Sequence, residues 1–158
     1  MKIPSPKQFK IIDRDTDIML TGVPDEILLK PDASYFVIDY KTARFTKTQD
    51  QLLPMYTVQL NAYAYIAERT CYGPVSQLGL VYCEPITEVG DRPIETCTGD
   101  KGFSLDFWAK LVNVAYTPDS VKAYLKIARQ IHSLPQPPES TPGCSNCKSL
   151  DNLVSLLS

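Results

Sequence analysis

Two aspartates and a lysine carry the chemistry that this sequence offers. Asp25 lies in the run Gly22-Val23-Pro24-Asp25-Glu26-Ile27-Leu28, and Asp39 and Lys41 lie in Ile38-Asp39-Tyr40-Lys41-Thr42. Side chains two apart on a strand point the same way, so Asp39 and Lys41 share a face. A hairpin between the two segments, turning near Asp32, sets Asp25 roughly opposite Asp39. Their Cβ atoms are then about 4.5–5.5 Å apart if they pair directly. Carboxylates that close repel each other unless a cation sits between them. Mg²⁺ suits such a place, because it takes oxygen ligands and keeps waters for reaction. Lys41, on the same face, can orient or deprotonate an attacking water, or neutralise charge building on a phosphate. The chemistry is metal-assisted phosphodiester cleavage.

A third constellation is Gln59-Leu60-Asn61-Ala62-Tyr63. Gln59 and Tyr63 stand four apart and stack on one helix face. A glutamine amide can donate to a phosphate oxygen and hold a water, and a tyrosine hydroxyl can donate to phosphate. Each of these signals also has an ordinary structural reading. Asp-x-Lys is common on a solvated sheet face, where the ion pair is weak. Gln59 can be merely exposed, and Tyr63 half-buried core. The flank of the second motif argues for more. Phe36-Val37-Ile38 is continuously apolar, as in a central strand covered on both sides, and charges ending such a strand are costly without partners.

The elements that must position these residues follow an α/β order. Residues 9–12 and 18–20 read as short strands joined by the polar turn 13–17. Residues 22–29 read as a strand, 30–34 as a turn, and 35–40 as a strongly β-forming strand. Residues 42–54 are polar and read as a loop. Val58, Ala62, Tyr65, Ile66 and Ala67 give residues 56–69 a helical stripe, and Gly73-Pro74 ends it. Residues 78–83 read as a buried strand closed by Pro85. A hairpin is expected from 92–97 and 103–108, and a last helix from Asp119 to about His132. A proline-rich tail follows over 135–142. The expected organisation is one domain over 1–134 and a tail, 135–158, that holds a Cys-x-x-Cys pair.

Composition sets outer bounds. The 158 residues suffice for one sizeable core, and no stretch approaches the roughly 20 apolar residues of a membrane span. Residues 1–10 contain charges and two prolines but no apolar core of a secretory signal. A net charge of −2 provides no global field toward nucleic acid, so basic contacts must be local. Five cysteines, an odd number with no secretion signal, point to the reducing cytoplasm and not to a disulfide scaffold.

The ordered trio, an acid after Gly22, Asp-x-Lys ending the next strand and Gln-x-x-x-Tyr on the next helix, resembles the PD-(D/E)xK nuclease superfamily. Within it the chain is similar to the RecB-type branch, which includes CRISPR adaptation exonucleases and helicase-associated nuclease domains. The resemblance covers about residues 21–68 and more weakly 78–85. It implies a restriction-endonuclease-like fold, a mixed β-sheet flanked by helices. It implies Mg²⁺ or Mn²⁺ held by Asp25, Asp39 and the Tyr40 carbonyl, with Lys41 catalytic and Gln59 and Tyr63 touching nucleic acid. DNA is the implied substrate, and a helicase or other DNA-processing protein the implied partner. Relatives of this kind also carry a His or Glu on an upstream helix. Here the sole His is His132, and no helix is evident before Gly22.

Several relatives hold an iron–sulfur cluster on four cysteines. Cys144-x-x-Cys147 lies where such a cluster would begin, while Cys71, Cys83 and Cys97 lie on or near core elements. Fe–S and structural zinc sites want four ligands, so a complete cluster is not expected in this chain. Arg44 and Lys47 follow Lys41 closely and are expected to contact the phosphate backbone. Lys122, Lys126 and Arg129 recur at helical spacing and read as a solvated face. The expected function is a metal-dependent DNA nuclease, exonuclease or end-processing. The alternative is a non-catalytic nucleic-acid-binding or scaffold module on the same fold.

Overall fold

The computed structural model describes residues 8–86, 98–100 and 102–157. A hairpin of β1 (Lys10–Asp13) and β2 (Ile18–Thr21) comes first. Its turn is held by Asp13, whose Oδ2 accepts from the Thr16 N–H at 3.0 Å and the Thr16 hydroxyl at 2.7 Å. Next come β3 (Glu26–Leu29), β4 (Tyr35–Lys41), the helix α1 (Lys47–Ala67) and β5 (Val75–Pro85). A short ladder of β6 (Thr98–Gly99) and β7 (Gly102–Phe103) precedes β8 (Phe107–Val114), α2 (Asp119–His132) and α3 (Ser145–Leu157).

The main sheet has the order β3-β4-β5-β8. β4 and β5 run parallel, and the outer pairs are antiparallel, so the sheet is mixed. Parallel neighbours need a crossover, and α1 supplies it. Val37, Leu78, Leu80, Tyr82 and Val114 from one sheet face bury against Leu60, Ala64 and Ala67 of α1. On the far side of α1, Tyr65 packs with Val121 and Leu125 of α2 and with Ile11, Ile18 and Leu20 of the first hairpin. The helix α1 is therefore covered on two sides. The mixed sheet flanked by helices is the architecture expected from the sequence.

Boundaries differ where proline and tertiary packing decide. The strand expected over 22–29 starts only at Glu26, since Pro24 has no N–H to extend a ladder. The expected loop over 42–54 is helical from Lys47, with Pro54 inside the helix. A mid-helix proline costs about 3 kcal/mol. Leu53 and Tyr56, both half-buried, pack against the core from this turn, and the apolar surface they remove from water offsets part of that cost. Residues 92–97 of the expected hairpin lie outside the described residues. Residues 103–108 form no single strand but divide between β7 and β8, and β8 pairs with β5 instead.

Asn61 ties the layers together. It is fully buried. Its Nδ2 donates to the carbonyls of Thr57 and Ala115, both at 2.9 Å, and its Oδ1 accepts from the Thr117 N–H at 2.6 Å. The loop between β8 and α2 is thus fixed to α1. Asn61→Ala strands these main-chain groups and is expected to cost about 2–3 kcal/mol. Urea unfolding measures this, and an unchanged midpoint would show that water replaces the amide.

Candidate active site

β4 is a central strand, and its residues Val37, Asp39 and Lys41 face α1. Asp39 is only 4% exposed. Lys41 Nζ lies 2.5 Å from Asp39 Oδ2 and also sits 4.3 Å from the centroid of the Tyr56 ring on α1. From the same helix, Gln59 Nε2 donates to Asp39 Oδ1 at 3.4 Å and to the Tyr63 hydroxyl oxygen at 3.0 Å. Asp39 Oδ2 is sealed from solvent, and the Lys41 ammonium is its partner and counter-charge. Burial pushes the Asp39 carboxyl above its usual 3.8, Lys41 opposes that shift, and the nearby charge of Asp25 adds to it.

Asp25 reaches the site from just before β3. The register sets Glu26 beside Ile38; continued by one residue it sets Asp25 opposite Asp39, and by two, Pro24 opposite Tyr40. Pro24 cannot donate to Tyr40, and the ladder stops there. The Asp25 side chain takes over part of the lost pairing, its Oδ2 accepting from the Tyr40 N–H at 2.7 Å. Asp25 itself remains exposed. Gly22 lets this coil approach α1, because a Cβ there would collide with the Tyr63 ring. Asp25, Asp39, Lys41, Gln59 and Tyr63 are thereby brought into one linked group.

The other sequence candidates are placed differently. Arg44 forms an ion pair with Glu84 at the end of β5. The Lys47 side chain lies outside the described residues. Lys122 pairs with Asp119 at 3.3 Å. Arg129 does not belong to a solvated face as expected. Its guanidinium donates to the carbonyls of Thr16 and, at 2.9 Å, Asp17, clamping α2 to the first hairpin. Cys71 is exposed, beyond the end of α1, and Cys97 lies outside the described residues. Cys144 precedes α3, where its Sγ accepts from the Cys147 N–H at 3.2 Å. The sequence reading missed Tyr56, which carries the Lys41 ammonium. It opens the helix expected over 56–69 and stands three residues before Gln59, a spacing that puts the two on one helix face.

The donors suit a hard divalent cation. Both side chains offer oxygen, and the nearby charge of Asp25 adds to the cost of ionising the buried Asp39, a repulsion that a cation between them would relieve. Among the described residues no three His, Cys, Asp or Glu side chains converge as a ready cage. A cation here would rest on Asp25, Asp39, main-chain oxygen and water. Mg²⁺ accepts such a sparse set, whereas thiolate- and imidazole-loving metals do not prefer it. The Tyr40 carbonyl is a reasonable main-chain donor, since the residue opposite it in the extended register has no N–H. Among the described residues no helix is long and apolar enough to cross a membrane.

A family model of the PD-(D/E)XK nuclease superfamily matches residues 3–151 of the chain. No curated protein matches it.

Proposed function

Because this chain belongs to the PD-(D/E)XK nuclease superfamily, we propose that it is a metal-dependent DNA nuclease that hydrolyses phosphodiester bonds at Asp25, Asp39 and Lys41. The observation that carries this reading is the buried Asp39 carboxylate, paired with the Lys41 ammonium and set beside the second carboxylate of Asp25. Such a carboxylate is costly as mere packing.

Asp25, Asp39 and the Tyr40 carbonyl would hold Mg²⁺ or Mn²⁺, which supplies positive charge to polarise the phosphoryl group. Gln59 fixes Asp39 by donating to Oδ1, so Oδ2 is the oxygen turned toward the reaction. The Lys41 ammonium, beside Oδ2, is placed to hold the attacking water or the phosphate oxygen on which charge builds. The Tyr63 hydroxyl accepts from Gln59 and keeps its own proton to donate to a phosphate. The exposed ion pair of Arg44 and Glu84 is worth little, so Arg44 can exchange it for a backbone phosphate, with Lys47 nearby in sequence.

The order of the motifs supports the finer reading of a RecB-type exonuclease or end-processing enzyme inside the cell, acting with a helicase or another DNA-processing protein. A non-catalytic module on the same fold is the competing reading, favoured by the sparse donor set among the described residues. Labelled single- and double-stranded DNA incubated with Mg²⁺ or Mn²⁺, against EDTA and a Lys41→Ala control, separates the two. Cleavage that needs both metal and Lys41 is expected; none in any metal would leave only the binding module.

A further inference from the structure

The sheet face that carries Asp39 and Lys41 continues across β5 to the edge strand β8. Register sets Lys41 beside Tyr82, Tyr82 beside Lys110, and Glu84 beside Trp108. Residues paired across neighbouring strands project to the same side. The direction is visible at Lys110, whose Nζ lies 3.9 Å from the centroid of Phe45, a ring packed edge-on against Tyr82 at 4.9 Å. Trp108 lies one step further toward the carboxyl ends of β4 and β5, the end where Lys41 sits, and is 70% exposed. Open α/β sheets bind ligands beyond those strand ends. Two strand spacings, about 10 Å, separate the backbone of Lys41 from that of Lys110. The Arg44 guanidinium, on Glu84, brings positive charge to the same end.

We infer that Trp108 and Lys110 form a track for single-stranded nucleic acid that leads to the Asp39–Lys41 site, Trp108 stacking on a base and Lys110 holding a phosphate. This rests on the nuclease reading for the identity of the ligand. An exposed indole next to a cation is the combination that single strands use, since every unpaired base offers a π-face and every linkage a charge. Duplex bases are already stacked on both faces, so a duplex gives the indole far less to hold.

Trp108 is the single tryptophan of the chain, so its fluorescence reports its own contacts. The full chain is titrated in EDTA with a twelve-nucleotide oligothymidylate. Saturable quenching is expected, with weaker quenching by a duplex of the same length. Trp108→Ala, followed by fluorescence anisotropy of labelled oligonucleotide, is expected to weaken binding on the order of tenfold, and Trp108→Phe to keep most of the affinity. Lys110→Ala is expected to lower the salt dependence by about one phosphate contact. Unchanged fluorescence on the single strand, equal quenching by duplex, or a folded Trp108→Ala that binds like the parent overturns the track. Cleavage without quenching removes the track alone; quenching and a Trp108→Ala defect in a chain that never cleaves DNA keep the track and remove the nuclease reading.

Discussion

Lys41→Ala is expected to slow DNA cleavage roughly 10²–10³-fold, the usual loss when one charged or hydrogen-bonding group aimed at developing charge is removed. Divalent-cation binding should survive, because the substitution takes away a positive charge and no ligand. The ammonium lies 2.5 Å from Asp39 Oδ2, so its loss leaves a buried carboxylate without a counter-charge and drives the Asp39 carboxyl further up. Lys41→Arg restores the charge but not the compact point donor, and partial recovery is expected. Single-turnover rates at saturating Mn²⁺ separate this from a binding defect. Parent-like cleavage by Lys41→Ala would remove Lys41 from the reaction.

Asp39→Asn is expected to end cleavage and yet leave the metal-free chain at least as stable as the parent near neutral pH. Burial holds the folded Asp39 carboxyl above its ordinary 3.8, and Asp25 pushes the same way against Lys41. The folded state therefore keeps this proton more tightly than the unfolded chain does. Stability falls as the pH rises from 3.8 through the higher folded value, and the ionised carboxylate is a cost above it. Asparagine removes that titration, so the difference between variant and parent should close as the pH drops below 3.8. Mn²⁺ needs the ionised form, so parent affinity should weaken as the pH falls toward the raised value. A variant clearly less stable than its parent at pH 7, or one that still cleaves, contradicts this role for Asp39.

The convergence of the candidate residues was legible because local rules decide it. Alternation along β4 puts Asp39 and Lys41 on one face, hairpin register brings Asp25 beside Asp39, and four-residue spacing stacks Gln59 with Tyr63. Tertiary choices were not legible. Pro24 ends the ladder and turns Asp25 into a side-chain partner for the Tyr40 N–H, which no strand pattern announces. The polar run 42–54 ending in Pro54 read as a loop, yet α1 begins at Lys47, with Leu53 and Tyr56 packed against the core. The pairing of β8 with β5 depends on partners distant in sequence, and with it the place of Trp108. Arg129 looked like one more lysine-type surface charge until the carbonyls of the first hairpin came within its reach. Asn61 sat between two motif residues and gave no sign that it clamps the loop after β8.

Calorimetric titration of Mn²⁺ into the parent, Asp25→Ala and Asp39→Ala, with circular dichroism to confirm that each variant is folded, tests directly whether these two carboxylates hold a metal ion. One site per chain is expected in the parent, strongly weakened or lost in both variants, since two carboxylates are the charged part of the donor set. Parent-like affinity and stoichiometry in folded Asp25→Ala and Asp39→Ala, or no binding to the parent, would contradict a metal centre at these residues.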